Sequence, residues 1–492
     1  MLRIFKKAKE YKNRIAVKDN DSSYSYKDLT ETSDEVAYSL LSEKADLNED
    51  RIGFLISPSF KYLTVLWGIW KAGGIAVPIS ISATESELIY YLKAAQIKKL
   101  ILDKVHLEKF SNLSTKINIH IEDVANLLSK QSKSLPEIKK DGRAMILFTS
   151  GTTNKPKGVV STHGNIEAQI KSLVEAWEWD KNDSIPLILP LHHIHGIINS
   201  LSCPLWVGAK VDILGRFEAD KVIEKIINNN YSVFTAVPTI YFSLIDVLQD
   251  PKNKNIDIAK NRFREMRLIM SGSAALAPEI HKKWKELTGQ DLLERYGMTE
   301  IGMALSNPLH GEKRAGSVGQ PLPNVEMCLM EEGKMISEEN KPGEIMIKGP
   351  QVFLEYWNRT IESKDSFFEG WFKTGDIAEL SNGYYKILGR ESVDIIKTGG
   401  YKISALEIED TLLKHPSVKE CAVIGIEDPK WGEVVAAVIA SSSETTSLKD
   451  IQSWSKNYLS AYKIPRKLIF LEELPKNAMG KVVKQDLRDY FK

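Results

Sequence analysis

The chain has 492 residues, with 66 Lys and Arg against 65 Asp and Glu, which gives a formal net charge of +1. A charge this close to zero provides no broad basic face, and this argues against a nucleic-acid-binding protein. The length exceeds one ordinary hydrophobic core, and a composition of 43% hydrophobic and 27% charged residues is typical of a folded protein with several domains or subdomains rather than a disordered one.

Two segments near the start of the chain show whether the sequence contains a secretory signal or a membrane-spanning helix. The basic N-terminus, residues 1–18, lacks the apolar core of a secretory signal, so it is interpreted as an amphipathic first helix. The longest apolar stretch, residues 62–81, is interrupted by a lysine, two glycines and a proline, which predicts a helix, a turn and a buried strand. We therefore expect no integral membrane association.

Helices and strands then alternate through the middle of the chain. Residues 219–230 predict a helix before a strand at 231–238. A short apolar strand at 267–273 precedes a helix that begins near Pro278 and stops at Gly289, and the run 291–297 predicts the next strand. This alternation of helices and strands predicts an α/β fold, with a large N-terminal domain of several subdomains built on mostly parallel sheets. Ligands are expected at the carboxyl ends of those strands.

The elements become shorter after about residue 390. A capping box from Ser404 to Glu407 predicts a helix through Leu413, followed by two strands, a polar stretch, a helix and a final strand. This is the pattern of a small α+β domain. The predicted domains are therefore residues 1–389 and 390–492.

The cysteines are odd in number and far apart in the sequence. Cys203, Cys328 and Cys421 fit neither a disulfide framework nor a zinc cluster. A reducing compartment is the expected environment, and the cytoplasm is the default prediction. No His/Cys cluster has the spacing of a metal site.

The sharpest local signal is the run LFTSGTTNKPKG, residues 147–158, where an apolar strand enters a loop rich in hydroxyls, glycine and lysine. Backbone N–H groups, hydroxyls and a lysine can together bind phosphate oxygens. The lysine follows a proline and precedes a glycine, so this is not a Walker A loop. A polar surface turn is the alternative for any fragment of the loop, because Ser, Thr, Gly and Pro are common turn residues.

The loop resembles the signature loop of the adenylate-forming superfamily, which includes acyl-CoA synthetases, luciferases and peptide-synthetase adenylation domains. Further motifs occur in the order expected for that family: LPLHHIHG (189–196), ERYGMTE (294–300), WFKTGD (371–376), GRESVDIIKTGGYKIS (389–404) and PKNAMGK (475–481). The resemblance covers most of the chain. It implies that a carboxylate attacks the α-phosphate of ATP to give acyl-AMP and diphosphate, and that a thiol then displaces AMP.

The resemblance also implies roles for individual residues. Lys157, Lys481 and His193 are the candidate catalytic residues, with His193 near the reacting carboxylate; His195 is equally compatible with a structural histidine. Thr149 and Glu300 would hold Mg²⁺, a cation that prefers oxygen ligands. The residues that would bind ATP are Thr149, Ser150, Gly151, Thr152, Thr153, Asn154, Lys155, Pro156, Lys157, Ser273, Ala274, Tyr296, Thr299, Asp376, Arg390 and Lys481.

Several of these residues have ordinary structural alternatives. Asp376 matches the ribose-binding carboxylate and Arg390 would contact ribose or phosphates, yet the two residues could be plain salt-bridge partners. Tyr296 would flank adenine, opposite the segment 271–276, or be a core aromatic. Glu300 could instead be a carboxylate at a helix start.

The small domain is expected to move between the two half-reactions. In the family, the lysine that matches Lys481 enters the active site during adenylation, and the domain then rotates about a hinge, here Ser392. The rotation presents the loop with Lys397, Gly399 and Gly400 to CoA. The family more often has Asp or Lys at the hinge. Asn154 likewise replaces the usual glycine of the phosphate loop, at a position where Asn tolerates a left-handed conformation.

Arg295 indicates the kind of acid. A buried guanidinium is costly without a partner, and its planar fork matches a carboxylate, so Arg295 is expected to bind a second carboxylate of the substrate, beside His193 and Ser271. An internal ion pair with Glu294 or another acid is the alternative. In a regular strand Arg295 and Tyr296 face opposite sides, so a bend at Gly297 is required for both to line one site.

Within the superfamily, the chain looks most like malonyl-CoA synthetases. This implies malonate and also methylmalonate as acids, with ATP and CoA as the other substrates. A medium-chain or aryl acyl-CoA synthetase is the alternative. Two further alternatives are an adenylation protein that loads a carrier domain and a nucleotide-binding regulatory protein without turnover. The mitochondrial matrix is the alternative compartment if a presequence precedes the chain. The sequence does not give the oligomeric state.

Overall fold

The computed structural model of the chain describes residues 2–128, 134–149, 156–251, 255–336, 338–398, 401–441, 447–476 and 482–491. Within these ranges, no helix combines the length and the apolar character that crossing a membrane requires.

The α-helices occur throughout the described chain, and their bounds in chain order are α1 Arg3–Glu10, α2 Tyr26–Leu41, α3 Phe60–Lys71, α4 Glu85–Ala94, α5 Lys104–Lys109, α6 Leu113–Lys116, α7 His163–Ala176, α8 Cys203–Val207, α9 Ala219–Asn228, α10 Pro238–Gln249, α11 Ile256–Glu265, α12 Pro278–Thr288, α13 Thr360–Asp365, α14 Ala405–Leu412, α15 Leu448–Ser455 and α16 Lys484–Leu487. A π-helical segment, His195–Ser202, leads directly into α8.

The strands up to residue 321 are β1 Ile15–Asp19, β2 Ser22–Ser25, β3 Arg51–Leu55, β4 Ile75–Pro78, β5 Lys99–Leu102, β6 His120–Asp123, β7 Arg143–Thr149, β8 Lys157–Thr162, β9 Ser184–Leu187, β10 Lys210–Ile213, β11 Val233–Ala236, β12 Leu268–Ser271, β13 Leu293–Met298, β14 Gly302–Ser306 and β15 Gln320–Pro321. The later strands are β16 Glu326–Glu331, β17 Lys334–Ile336, β18 Gly343–Lys348, β19 Glu355–Tyr356, β20 Phe367–Phe368, β21 Trp371–Ser381, β22 Tyr384–Arg390, β23 Ile395–Thr398, β24 Tyr401–Ser404, β25 Val418–Asp428, β26 Gly432–Ser441 and β27 Lys467–Leu471.

The chain divides into two compact units. The first contains residues 1–326 and 347–372, and the second contains residues 327–346 and 373–492. The segment 373–389 therefore groups with the second unit, although the sequence prediction assigns it to the first domain. The predicted boundary at 389/390 marks the start of the domain that the family resemblance implies to move, and it stays a prediction.

Sheets in the first unit carry helices between their strands. One has the order β19-β8-β7-β4-β3-β5-β6, another β11-β12-β13-β14-β15, and a third β2-β1-β10-β9. The pairs β4–β3, β3–β5, β5–β6, β11–β12 and β12–β13 are parallel, whereas β7–β8 and β13–β14 are antiparallel hairpins. The predicted α/β class with mostly parallel sheets is confirmed.

Helix α12 illustrates how local sequence determines these elements. Pro278 occupies the first turn, where its missing N–H costs nothing, and Gly289 ends the helix at φ +76°, a left-handed conformation that glycine adopts without strain. Trp284 is completely buried, and Ile280 and Leu287 pack against the same core. The apolar stripe therefore fixes the helix on the sheet that contains β12 and β13.

The second unit has a core of its own. Its sheet runs β24-β23-β26-β25, with β27 parallel to β26, and helix α14 packs against it through residues that include Ile408 and Leu412. Ser404 caps α14 by accepting the N–H of Glu407, as the sequence predicts. The Glu407 carboxylate, however, accepts from the Lys463 ammonium at 2.6 and 2.7 Å. The run IQSWSKNYLSAY, residues 451–462, predicts the helix after the polar stretch, and the structure places this helix at Leu448–Ser455.

Candidate functional site

The phosphate-loop prediction falls on a hairpin. Strands β7 and β8 pair antiparallel with Thr149 opposite Lys157, so the ends of the loop are adjacent in space. The Pro156 carbonyl accepts from the Tyr90 hydroxyl at 2.7 Å, which holds the point where the chain re-enters the sheet. The predicted ATP-binding residues of the loop itself lie outside the described residues: Ser150, Gly151, Thr152, Thr153, Asn154 and Lys155.

Lys157 is held by an acid and an aromatic ring. Its Nζ lies 3.1 Å from Glu362 Oε2 and 5.1 Å from the centre of the Tyr356 ring. The same glutamate is bonded to Arg359 at 2.5 Å. Partial burial alone would raise the pKa of Glu362, but the two cations reverse this and lower it. Lys157 is therefore oriented before any anion arrives.

Glu300, the predicted magnesium ligand, is 5% exposed and follows strand β13 in a turn. Its Oε1 accepts the hydroxyl of Tyr356 at 2.9 Å. Among the described residues, no group of three or more His, Cys, Asp or Glu side chains could hold a metal ion. A metal here would thus need ligands of other kinds, such as a hydroxyl, water or phosphate oxygens.

Strands β12 and β13 pair in parallel and bring two of the three acid-binding candidates, Ser271 and Arg295, onto neighbouring strands. Ser271 ends β12 completely buried, and its hydroxyl has no hydrogen-bond partner in the described part of the chain. Arg295, on the neighbouring strand, is 2% exposed. A Cβ built on Gly272 would lie 2.6 Å from Arg295 Nη1, so the absence of a side chain at 272 makes room for the guanidinium.

Among the residues that the structure describes, none is a counter-ion for the buried Arg295 guanidinium. All three of its nitrogens lack a hydrogen-bond partner within the described ranges. Burial lowers the pKa of Arg295 to about 9, with Tyr241 opposing the shift, so the group stays charged at neutral pH. Such a charge favours an anion bound from outside the chain.

Glu294, the alternative partner of Arg295, has other contacts. Its Oε1 accepts the N–H of Gly316 at 2.9 Å and lies 3.7 Å from Nδ1 of His281. Adjacent residues of a strand face opposite sides, which separates this carboxylate from the guanidinium. The internal ion pair with Glu294 is therefore not formed.

The two candidate histidines have different surroundings. His193 is half-buried, with its ring 4.2 Å from that of His192. His195 is 4% exposed, with Nε2 2.8 Å from Thr235 Oγ1 and Nδ1 3.1 Å from Ser273 Oγ. Burial, together with Arg295 and His193, keeps the pKa of His195 well below its ordinary value. His195 is thus a neutral histidine whose two ring nitrogens are both satisfied.

The adenine-site candidates flank these strands. Ser273 adopts φ +71°, which is unusual for serine, and Ser273 and Ala274 are both exposed. Tyr296 and Thr299 are half-buried. The pairing of β13 with β14 shifts register between Tyr296 and Gly297, where the sequence requires a bend.

In the second unit, Asp376 and Arg390 are partners. Strands β21 and β22 place them opposite each other, and Arg390 Nε donates to Asp376 Oδ1 at 2.9 Å. The ordinary salt bridge allowed for by the sequence is therefore present. The hydroxyl of Thr374 also accepts the backbone N–H of Asp376 at 3.1 Å, which helps to fix the backbone at this position.

The CoA-loop candidates are described only in part. Lys397 and Ser392 line a cavity of about 720 Å³ with Glu391 and Arg488, and Lys397 Nζ lies 3.6 Å from Glu391. The other three candidates of this unit lie outside the described residues: Gly399, Gly400 and Lys481.

Sequence reasoning missed the residues that surround Lys157 and Glu300. Tyr356, Arg359 and Glu362 belong to a segment without a recognised motif. Strand β19 carries Tyr356 onto the edge of β8, with Tyr356 opposite Val159. This pairing joins residues about two hundred positions apart, and no spacing within the sequence signals it.

Comparison with known proteins reveals the relatives of the chain. The profile of the family described as AMP-binding enzyme matches residues 4–357, and that of the AMP-binding enzyme C-terminal domain matches residues 407–481. The mitochondrial malonate–CoA ligase of Mus musculus is 40% identical, with 98% of this chain and 90% of the relative covered.

Solved structures agree with this similarity. ATP-bound MatB from Rhodopseudomonas palustris matches with a TM-score of 0.89 and 30% identity, over 100% of this chain and 99% of the other. A malonyl-CoA ligase bound to methylmalonyl-CoA and AMP matches with a TM-score of 0.69 and 31% identity, over 95% and 97%. The chain belongs to the family of AMP-binding enzymes.

Proposed function

We propose that the protein is an ATP-dependent malonyl-CoA synthetase. The malonate carboxylate attacks the α-phosphorus of ATP and diphosphate leaves, which gives malonyl-AMP. The CoA thiol then attacks the acyl carbon and AMP leaves, which gives malonyl-CoA. Full-length similarity to a malonate–CoA ligase supports this reaction, as does the chemistry of the buried strands β12 and β13.

The observation that carries the choice of acid is the isolated guanidinium of Arg295. Burying a charge without a partner is costly, so the position makes sense where a substrate supplies the partner. Malonate has two carboxylates: one can react while the other accepts from Arg295. Ser271 and His193 are assigned to the same acid. A fatty or aryl acid would leave this charge unpaired.

The ATP-binding residues are assigned from the family resemblance. Lys157, the hydroxyls of the loop 149–153 and Lys481 would neutralise phosphate charge as the two anions meet. Asp376, fixed by Arg390 and Thr374, has a carboxylate suited to accept from ribose hydroxyls. Tyr296, Thr299, Ser273 and Ala274 would surround the base.

Magnesium fits the donors present at Glu300 and Thr149. A carboxylate and a hydroxyl are the hard oxygen ligands that this cation takes in small number while it keeps its waters. The hydroxyl of Tyr356 fixes the Glu300 carboxylate. When bound, the cation would neutralise charge on the phosphates of ATP.

CoA binding is assigned to Lys397, Gly399 and Gly400.

Two cell compartments are proposed for the protein, the cytoplasm and the mitochondrial matrix. The name of the mouse relative describes that protein as mitochondrial, which supports the matrix alternative. The cytoplasm stays the default prediction from the sequence.

The test is product identification with competing acids. The protein is incubated with ATP, Mg²⁺ and CoA together with malonate, methylmalonate, acetate, octanoate or benzoate, and the thioesters are identified by mass. We expect malonyl-CoA with the highest kcat/KM, and methylmalonyl-CoA as a second product. An octanoate or benzoate preference would assign the protein to the medium-chain or aryl synthetases, and ATP binding without any thioester would indicate the regulatory alternative.

A further inference from the structure

Tyr356 lies between two residues assigned to the phosphate end of the ATP site. It is 7% exposed and ends strand β19, which pairs antiparallel with β8. Lys157 is the first residue of β8, so this pairing brings the tyrosine beside the start of that strand. None of the motifs found in the sequence includes it.

The tyrosine contacts each of the two residues with a different part of its side chain. Its hydroxyl donates to Glu300 Oε1 at 2.9 Å, and the Lys157 ammonium lies 5.1 Å from the centre of its ring. A hydrogen bond to a carboxylate is among the stronger ones, and an ammonium is attracted to the face of an aromatic ring. One side chain thus contacts both an acidic and a basic residue that are assigned to the phosphate end of the ATP site.

Glu362 completes the arrangement on the other side of Lys157. Its carboxylate lies 3.1 Å from the ammonium and is itself bonded to Arg359. A free lysine side chain samples many rotamers, and fixing one of them costs conformational entropy. Because the ring and the carboxylate order the lysine when the protein folds, its conformational entropy is lost before ATP binds. Phosphate binding then does not have to order this side chain.

We propose that Tyr356 is a positioning residue for the phosphate end of the ATP site, with its hydroxyl orienting Glu300 and its ring orienting Lys157. The proposal rests on the functions proposed for those two residues. The proposal separates two effects. Through Glu300, the hydroxyl contributes to ATP binding that depends on Mg²⁺. Through Lys157, the ring contributes to ATP binding that depends only on the positive charge of the lysine.

Two variants test the two effects separately. Binding of ATP is measured by calorimetry with and without Mg²⁺, in the absence of malonate and CoA. Tyr356→Phe keeps the ring, so we expect the Kd for ATP with Mg²⁺ to rise about tenfold while the Kd without Mg²⁺ changes less than about twofold. Tyr356→Leu should raise both. An unchanged Kd with Mg²⁺ in Tyr356→Phe, or an equal rise in both constants, would overturn the proposal.

A matched control distinguishes positioning from stability. The hydroxyl of Tyr231 also donates to a carboxylate, that of Asp212 at 2.6 Å, in the buried interior of another sheet. Tyr231→Phe should lower the melting temperature without altering either ATP constant. If it weakens ATP binding as much as Tyr356→Phe does, the effect is one of general stability and the proposal fails.

Two further variants separate this proposal from the proposed function. Glu300→Gln and Lys157→Ala are measured in the same way. If neither weakens ATP binding with Mg²⁺, the functions proposed for these residues are wrong, and Tyr356 has nothing to position. If both weaken it and Tyr356→Phe does not, the proposed function stands and the inference about Tyr356 is wrong.

Discussion

Arg295 combines a functional advantage with a cost in stability. Its guanidinium is charged, buried and without a hydrogen-bond partner in the described chain. Even a buried ion pair can often be replaced by apolar residues of similar volume with no loss of stability or with a gain of about 1–4 kcal/mol, and an unpaired buried charge is costlier still. We therefore predict that Arg295→Met unfolds at higher denaturant concentration than the wild type in the absence of ligands, yet loses about a hundredfold in kcat/KM for malonate.

Substrate kinetics and denaturant unfolding together check this prediction. The Kd for ATP should stay within about twofold of the wild type, because the guanidinium is assigned to the acid and not to the nucleotide. Arg295→Lys serves as the comparison: it keeps a charge but loses the planar fork, so malonate use should recover only in part. Wild-type malonate kinetics in Arg295→Met would show that the buried charge serves another purpose.

At the same scale, the sequence predicted residue types better than residue partners. Arg295 was recognised because a guanidinium beside apolar residues is chemically conspicuous. Its isolation was not predictable, since Glu294 precedes it and only the strand geometry directs that acid toward Gly316 and His281. Asp376 and Arg390 were selected as ATP ligands with a salt bridge as the alternative, and the β21–β22 pairing places them opposite each other so that the salt bridge forms.

Among the elements, helix α7 carries a buried histidine at its first position. His163 is 6% exposed and contacts the edge of Trp70, with ring centres 5.9 Å apart. Burial lowers the pKa of His163 to about 4. A proton there would also place positive charge at a helix N-terminus, where the helix dipole disfavours it.

This helix start predicts a specific acid sensitivity. The pKa of His163 is about 4 in the folded protein and 6.5 as its ordinary value, so between these two pH values the unfolded chain binds the proton and the folded protein does not. Stability is therefore lost as pH falls through this window, by about 2 kcal/mol at pH 5 for this one group. Denaturant unfolding of the wild type and of His163→Gln at pH 8 and pH 5 measures it. All other ionisable groups are common to the two proteins, so parallel pH profiles would contradict the assignment.

Elements with strong local signals were predictable, and those that depend on distant partners were not. Pro278 and Gly289 define α12 almost to the residue, because each has a conformational reason to be at its end of the helix. The capping box at α14 was only half right, because the long side chain of Glu407 reaches Lys463 instead of its own helix start. Strand β19 has two residues and no signal of its own, yet it delivers Tyr356 to Lys157.

For the whole molecule, the α/β class and the presence of a smaller unit at the C-terminus were predictable from periodicity. The assignment of residues 327–346 and 373–389 to the second unit was not, because it depends on long-range strand pairing. Motion was inferred from family resemblance. It can be tested through Lys481, which the family resemblance assigns to the first half-reaction.

We predict that Lys481→Ala slows formation of malonyl-AMP by at least about a hundredfold, because a charge that stabilises the transition state is removed. Conversion of supplied malonyl-AMP to malonyl-CoA should change less than about threefold if the lysine is withdrawn in that step. Single-turnover assays of each half-reaction measure both values. Lys476→Ala is the matched control, since this lysine of the same segment pairs with Glu420 at 2.7 Å. Equal losses in the two half-reactions would contradict the prediction that Lys481 acts in the first half-reaction and is withdrawn in the second.

The three native cysteines have a practical consequence. Cys203 is buried, Cys328 and Cys421 are partly buried, and burial raises the pKa of all three thiols. Thiolates, the forms that react with maleimides, are therefore scarce at neutral pH. A cysteine introduced at an exposed position, such as Ile361→Cys at a site that is 76% exposed, would be labelled selectively. The native protein thus has little thiol reactivity of its own, so a fluorescent probe on an introduced cysteine could test whether the small domain moves during turnover.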